Sequence, residues 1–291
     1  MSATQSSSLS GTIYAKVIET LIISYQYDDL VATPFFRYKS IADQQTTTAA
    51  FPRWVKSTGP VAGTPASEVT ALATTELTTT SVDIAVGRVG IARELTTTAA
   101  EDSVVGRSLY ISGFVADAAR LYGEFFDTAS MALASSVTAT EGAGGATLSI
   151  ATMVAAVASQ RVAKCKGSQV GVLHDHQGKQ LQQAQAASTA TPWATFFTPS
   201  GDGGSFLGYF LNAPLFATGL APTSTGDRLG MIWGDGSRPE FCAFGFVVKR
   251  MPSSLTETNI LMDSNIWASF SRTGVGIIAN NFATSIRSIN A

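Results

Sequence analysis

Residues 44–82 place the first constraint on what this chain can become. Thr, Ala, Pro and Gly dominate the segment, and long aliphatic side chains are scarce. Thr46-Thr47-Thr48 and Thr78-Thr79-Thr80 bracket it like matched strands, and the stretch from Ser57 to Pro65 is a turn-rich tip. Thr and Val favour strands, so the pattern predicts two β-arms joined by a wide loop. An isolated hairpin is marginal in water, and this one has too few apolar residues to build its own core. It must rest on something else, and a neighbouring subunit is the expected support.

Composition points the same way. Charged residues make up only 14% of the 291, against about 25% in a typical protein, so much of the surface is expected to be covered by other chains. The 19 basic and 21 acidic residues leave a net charge of -2, with no basic run. Tight nucleic-acid binders need a Lys or Arg for each neutralised phosphate; a chain like this would enclose nucleic acid rather than grip it. Two cysteines, Cys165 and Cys242, are no disulfide framework, and reduced thiols are expected. The opening residues lack a charged, then apolar, secretory pattern. Apolar stretches such as 241–248 fall far short of the ~20 residues that span a bilayer, so a soluble protein made in the cytoplasm, with no membrane partner, is expected.

At roughly 150 residues per domain, the length suggests one elaborate domain or two lobes. Residues 1–11 read as an arm. A helix over about 12–25 follows, with Ile13, Val17, Leu21 and Ile22 at helical spacing. Residues 81–95 read as a strand whose inward phase flips at Gly87, as a β-bulge would make it. Thr98-Ala99-Ala100-Glu101 matches a capping box, and a helix over about 99–135 follows, roughly 50 Å long. Its stripe takes in Val104, Phe114, Val115, Ala118, Leu121, Tyr122, Phe125, Ala129, Ala132 and Leu133. Residues 141–145 are a glycine-rich break and the expected lobe boundary. The second lobe reads as α/β: helices over 148–164 and 179–187, a buried strand over 170–173, and strands near 206–211, 215–217, 228–233 and 241–249. Residues 260–270 form an apolar segment that turns at Arg272-Thr273-Gly274, and 275–279 are the expected last strand.

Chemical motifs are thin. His174-Asp175-His176 holds both histidines, yet zinc normally takes four ligands; a polar strand end or loop is the simpler reading. Gly171 through Gly178-Lys179-Gln180 departs from a phosphate loop in spacing and in its final residue. Gly203-Gly204-Ser205-Phe206-Leu207 lacks the last glycine of a nucleophile elbow. Asp227 and Asp235-Gly236-Ser237 offer too few carboxylates for calcium. No nucleophile–base pair is evident, so no catalytic residue, cofactor or metal is expected, and a hydrolase is a distant alternative.

The order of elements resembles the HK97-like major capsid proteins of tailed bacteriophages: polar arm, Thr-rich excursion, one long helix, α/β lobe, late strands returning to the first lobe. The residues that carry the likeness are Thr46 to Trp54 (Thr-Thr-Thr-Ala-Ala-Phe-Pro-Arg-Trp), the strand Ser81 to Leu95 leading into the long helix, and Gly208 to Phe216 (Gly-Tyr-Phe-Leu-Asn-Ala-Pro-Leu-Phe). The resemblance implies an α+β capsid fold divided into an N-arm (1–30), an extended E-loop hairpin (44–82), a peripheral domain with its spine helix (31–43, 83–141 and 241–273) and an axial domain (142–240 and 274–291). It implies a virion shell of pentamers and hexamers around double-stranded DNA, assembled in the host bacterial cytoplasm, with a separate scaffolding protein, a portal at one vertex and a decoration or cement protein as partners. Arg53, Trp54, Lys56, Glu68, Arg88 and Glu94 are the candidate intersubunit contacts. Some family members crosslink an E-loop Lys to a neighbour's Asn; Lys56 with Asn259, Asn265 or Asn280 would be the residues by type. The alternatives are an encapsulin-like compartment shell and a tail-tube subunit.

Overall fold

The computed structural model describes residues 22, 30–54, 79–96, 98, 106–163, 165–187, 197–199, 205–224, 226–259 and 263–289. The helix expected over 12–25, the hairpin tip, Val104 and the capping box at 98–101 lie outside the described residues or almost wholly so.

Two sheets organise the chain. In the first, β1 (Arg37–Ser40), β12 (Phe244–Asn259), β13 (Ser264–Ile277) and β4 (Gly87–Thr96) lie in that order. β12 and β13 form a long antiparallel hairpin. The expected turn at Arg272-Thr273-Gly274 is absent: β13 runs through it unbroken, and the chain reverses between Asn259 and Ser264. Gly274 serves close approach instead, because a Cβ there would overlap the carbonyl oxygen of Ala85.

Helix α1 (Gly106–Ala132) lies on this sheet. Phe114, Val115, Ala118, Ala119, Tyr122 and Phe126 are its buried face, and the Tyr122 hydroxyl bonds Ser269 Oγ on β13 at 3.3 Å. That face is narrower than the expected stripe, since Leu121 and Phe125 point outward. A 3-10 turn, Leu133–Ser136, ends the helix.

One buried carboxylate ties the incoming chain to α1. Asp127, 0% exposed, accepts from Val31 N (2.6 Å), Ala32 N (3.1 Å), Thr33 N (3.2 Å) and Thr33 Oγ1 (3.0 Å). Three consecutive N–H groups at the start of the 3-10 turn Thr33–Phe35 make an anion nest, and Asp127 fills it.

The second sheet runs β5 (Thr140–Glu141), β14 (Ala283–Ile289), β11 (Asp227–Gly234), β6 (Gln169–His174), β9 (Ala213–Thr218), β8 (Phe206–Phe210), β7 (Phe197–Pro199), with β10 (Thr223–Ser224) beside β11. A two-residue turn, Leu211 and Asn212, both at positive φ, joins β8 to β9, as a mirror-image hairpin turn requires. Helix α2 (Ile150–Val162) starts at Ser149, whose hydroxyl accepts from Thr152 N at 3.2 Å. Helix α3 (Asp175–Ala187) begins directly after β6, four residues before the expected start at 179. Leu148, Met153, Val157, Leu173, Leu181, Leu215, Ile232 and Ile286 fill the core between the helices and the sheet.

The last strand is β14, beyond the expected one at 275–279, which is instead the end of β13 and the turn that follows. Both its faces carry buried polar groups, Thr284 and Ser288 on one and Ser285 on the other, and glutamines hold it. Gln177 Nε2 donates to Ile286 O (3.1 Å) and Arg228 O (3.0 Å), Gln180 Nε2 to Ile289 O (3.1 Å), and Gln160 Nε2 to Thr284 Oγ1 (2.7 Å). The two lobes share one core: Phe36 and Phe244 stack at 5.0 Å between ring centroids, and Trp233 meets both edge-on at 5.6 and 5.7 Å.

Candidate assembly surface

A third, two-stranded sheet stands apart from the other two. β2 (Thr48–Trp54) pairs antiparallel with β3 (Thr79–Ala85), Thr48 opposite Ala85 and Trp54 opposite Thr79. The expected β-arms are therefore present, but the two threonine triplets sit at opposite ends of the ladder. The apparent bulge at Gly87 is a change of sheet. Val86 N closes the hairpin on Thr47 O at 2.9 Å, and from Gly87 the chain pairs with β13.

The base of this hairpin rests on its own subunit, contrary to the expectation of a neighbour's support. Alternation along β2 and β3 turns Ala49, Phe51 and Ile84 inward, where they join Ile41, Cys242, Val247 and Ile278. The seat is made by a cross-strand glycine pair, Gly245 opposite Gly276. A Cβ on Gly276 would lie 2.9 Å from Ile84 Cγ1, and one on Gly245 would lie 2.8 Å from Ile84 Cδ1 and 3.0 Å from Phe51 Cζ. Side chains of that separation are not tolerated without movement, and overpacking costs about 1–3 kcal/mol. Gly276→Val is therefore expected to lower subunit stability by about 2 kcal/mol and to loosen the hairpin base, read by denaturant unfolding and by faster proteolysis near residues 48–54. Arg37 and Lys39 lid the seat, each 5.5 Å from the Phe51 ring centroid.

Several large apolar side chains remain exposed elsewhere on the chain. On α1, Leu121 (39% exposed) and Phe125 (45%) are four residues apart and share one outer face. On β1, Tyr38 is 55% exposed. Tyr38 also borders an open cavity of about 490 Å³ lined by Leu30, Pro34, Phe36, Phe126 and Met251. Exposed apolar side chains scattered singly are ordinary, and only a contiguous apolar patch marks an interaction surface. Sequence periodicity assigned Leu121 and Phe125 to the core stripe, because their spacing fits it as well as that of the residues truly buried.

Among the candidate contact residues, Lys56 and Glu68 lie outside the described residues, as does the side chain of Trp54. Arg53, Arg88 and Glu94 are exposed, and each touches its own chain. Arg53 Nη2 donates to Asn281 Oδ1 at 3.1 Å. The Arg88 guanidinium sits 4.2 Å from the Phe270 ring centroid. Glu94 accepts from Ser264 Oγ. Phe270 itself covers Gly90, its cross-strand partner. Asn280 bridges Thr138 and Ser136 through both ends of its amide, accepting from Thr138 N at 3.0 Å.

Among the described residues, the weak chemical motifs serve packing and turns; Gly203 and Gly204 lie outside the described residues. Gly171 lies inside β6, where a Cβ would strike Leu215, so its glycine serves packing. Asp227 binds Arg287 Nε (2.9 Å) and Gly145 N (3.0 Å), while Asp235 accepts from Ser237 N in an Asx turn at 3.1 Å. Cys165 and Cys242 are free and buried, and burial raises both thiol pKa values, which disfavours the reactive thiolate. No group of three His, Cys, Asp or Glu among the described residues is placed to hold a metal ion, and no described helix is long and apolar enough to cross a membrane.

No protein-family model matches the sequence, and no curated protein is significantly similar to it. Solved structures are similar in fold. The mature capsid protein of bacteriophage PhiM1 superposes with a TM-score of 0.62 at 12% identity, over 90% of this chain and 88% of that one. Mycobacterium phage Che8 gives 0.59 at 13% identity, over 83% and 85%. A virus-like particle from Pyrococcus furiosus gives 0.60 at 7% identity, over 94% and 99%. The chain thus has the α+β fold of phage capsid proteins of the HK97-like kind.

Proposed function

We propose that this chain is the major capsid protein of a tailed phage, a non-enzymatic subunit that self-assembles as pentamers and hexamers into the shell around double-stranded DNA. The observation that carries the reading is the capsid fold spanning nearly the whole chain. Its low charge and the uncovered Tyr38, Leu121 and Phe125 support it. In this reading 1–30 is the N-arm, 44–82 the E-loop with β2 and β3 as its base, α1 the spine helix, the β1–β12–β13–β4 sheet the peripheral domain, and the β14–β11–β6–β9 sheet the axial domain. The proposed peripheral part is 31–43, 83–141 and 241–273, and the proposed axial part 142–240 and 274–291. Arg53, Trp54, Lys56, Glu68, Arg88 and Glu94 are the proposed intersubunit contacts. A separate scaffolding protein, a portal and a decoration protein are the proposed partners, and the host cytoplasm is the place of assembly.

A second reading is a compartment shell, since the same fold also builds a particle that is called virus-like rather than a phage capsid. Contents separate the two. Particles purified from the native source should hold nuclease-protected double-stranded DNA. Particles that hold a single enzyme species and no DNA would overturn the phage reading in favour of the compartment.

A further inference from the structure

The junction between β6 and α3 brings both histidines of the chain together. His174 is the last residue of β6, 5% exposed. Its Nδ1 accepts the backbone N–H of His176 at 3.0 Å, so it caps the first turn of α3 in the way an Asn or Ser side chain usually does. The imidazoles of His174 and His176 stack with centroids 5.3 Å apart and planes 18° from parallel. Gln177 completes the turn by accepting His174 N through Oε1 at 3.0 Å. An imidazole can fill this role only while Nδ1 carries a lone pair; the imidazolium has a proton on each ring nitrogen.

We propose that His174 is an acid-sensitive latch that joins β6 to α3 in its neutral form and releases the first turn of α3 when it is protonated. Protonation turns Nδ1 into a donor facing the His176 N–H donor. It also puts a positive charge at a helix N-terminus, where the backbone dipole already presents its positive end. The charged groups around it reinforce the effect: from β11 the guanidinium of Arg228 and from α3 the imidazole of His176 both oppose a second positive charge, while Asp175 at the start of α3 favours it. β9 contributes the uncharged Thr218 opposite His174. Burial is the largest influence and the Arg228 charge the next, and together they hold the His174 pKa below its ordinary value near 6.5.

The direction of the pH dependence follows. With the folded pKa depressed, the unfolded chain takes up the proton first, so the stabilisation is complete above pH ~6.5 and declines as pH falls toward and through the folded value. α3 also carries Gln177 and Gln180, which hold β14, so loosening its first turn weakens the grip on the last strand. This inference concerns the subunit and stands independently of the shell.

The test compares wild type with His174→Asn, whose Oδ1 accepts the same N–H at every pH. Thermal unfolding of the unassembled full chain is measured from pH 7.5 to 5.0. The wild type should lose at least ~2 °C more in Tm over that interval than His174→Asn; equal losses would overturn the latch. A second readout needs no variant at position 174. In the wild type, the imidazole C–H proton signals are followed by NMR over the same range, with His176→Gln identifying which is which. His174 should titrate below pH 6.5, and a His174 midpoint at or above 6.5 would overturn the proposal even if His174→Asn failed to fold.

Discussion

Replacing Asp127 with Ala is expected to cost the subunit about 3–5 kcal/mol, a large share of the total stability of an ordinary domain. Four hydrogen bonds end on this one carboxylate, and Ser130 extends the group through Thr33 Oγ1 at 3.0 Å. Alanine leaves the amides of Val31, Ala32 and Thr33 without an acceptor, and each orphaned buried donor costs about 1–3 kcal/mol. The full sum is not reached, because the segment can shift toward water. The loss still spreads, since Phe36 lies three residues beyond this anchor and joins the two lobes through Phe244 and Trp233. Asn at 127 keeps one acceptor oxygen but turns an NH2 toward donors, so it should fall between wild type and Ala. Denaturant unfolding of the unassembled subunit checks this; an Asp127→Ala unfolding free energy within about 1 kcal/mol of wild type would show that residues 31–33 are held by something else.

The second large effect concerns assembly. Replacing residues 56–77 with a short Gly/Ser linker should leave thermal unfolding near that of the wild type and abolish stable shells. The strands on either side stay intact, and Trp54 and Thr79 are register partners, so a short linker can close the ladder. Phe51 and Ile84 keep their seat on Gly245 and Gly276. A wider replacement, over 50–76, would be a different experiment: it removes Phe51, which is 0% exposed, and loss of a buried Phe costs about 3–5 kcal/mol. The two variants therefore separate the part of the excursion that belongs to the subunit from the part proposed to join subunits. Normal shells from the 56–77 variant would remove the E-loop assignment.

The elements most legible in the sequence were those with strong apolar periodicity. α1 and α2 and the strands β6, β8, β9 and β11 fall within a few residues of their expected positions. Elements that depend on polar or small residues were not legible. β14 was missed because Thr284, Ser285 and Ser288 read as surface, whereas a strand buried on both faces tolerates them where Gln160 and Gln177 supply partners. The turn expected at Arg272-Thr273-Gly274 was misplaced because a glycine needed for backbone approach looks, in sequence, like a glycine needed for a turn. α3 starts early because His174 caps it, and histidine is an unusual cap. Asp127 carried no sequence signal: a carboxylate is rarely fully buried unless paired, and its partners, the amides of residues 31–33, are backbone groups that side-chain patterns do not reveal. The exposed apolar groups of α1 carried none, since Leu121 and Phe125 are apolar whichever way they face.

Electron microscopy of the purified full chain, with a scaffolding protein supplied, tests the central claim most directly. Closed shells of uniform size, built from rings of five and six subunits, are the predicted result. A chain that stays monomeric under every assembly condition, with Tyr38, Leu121 and Phe125 left exposed, would contradict it.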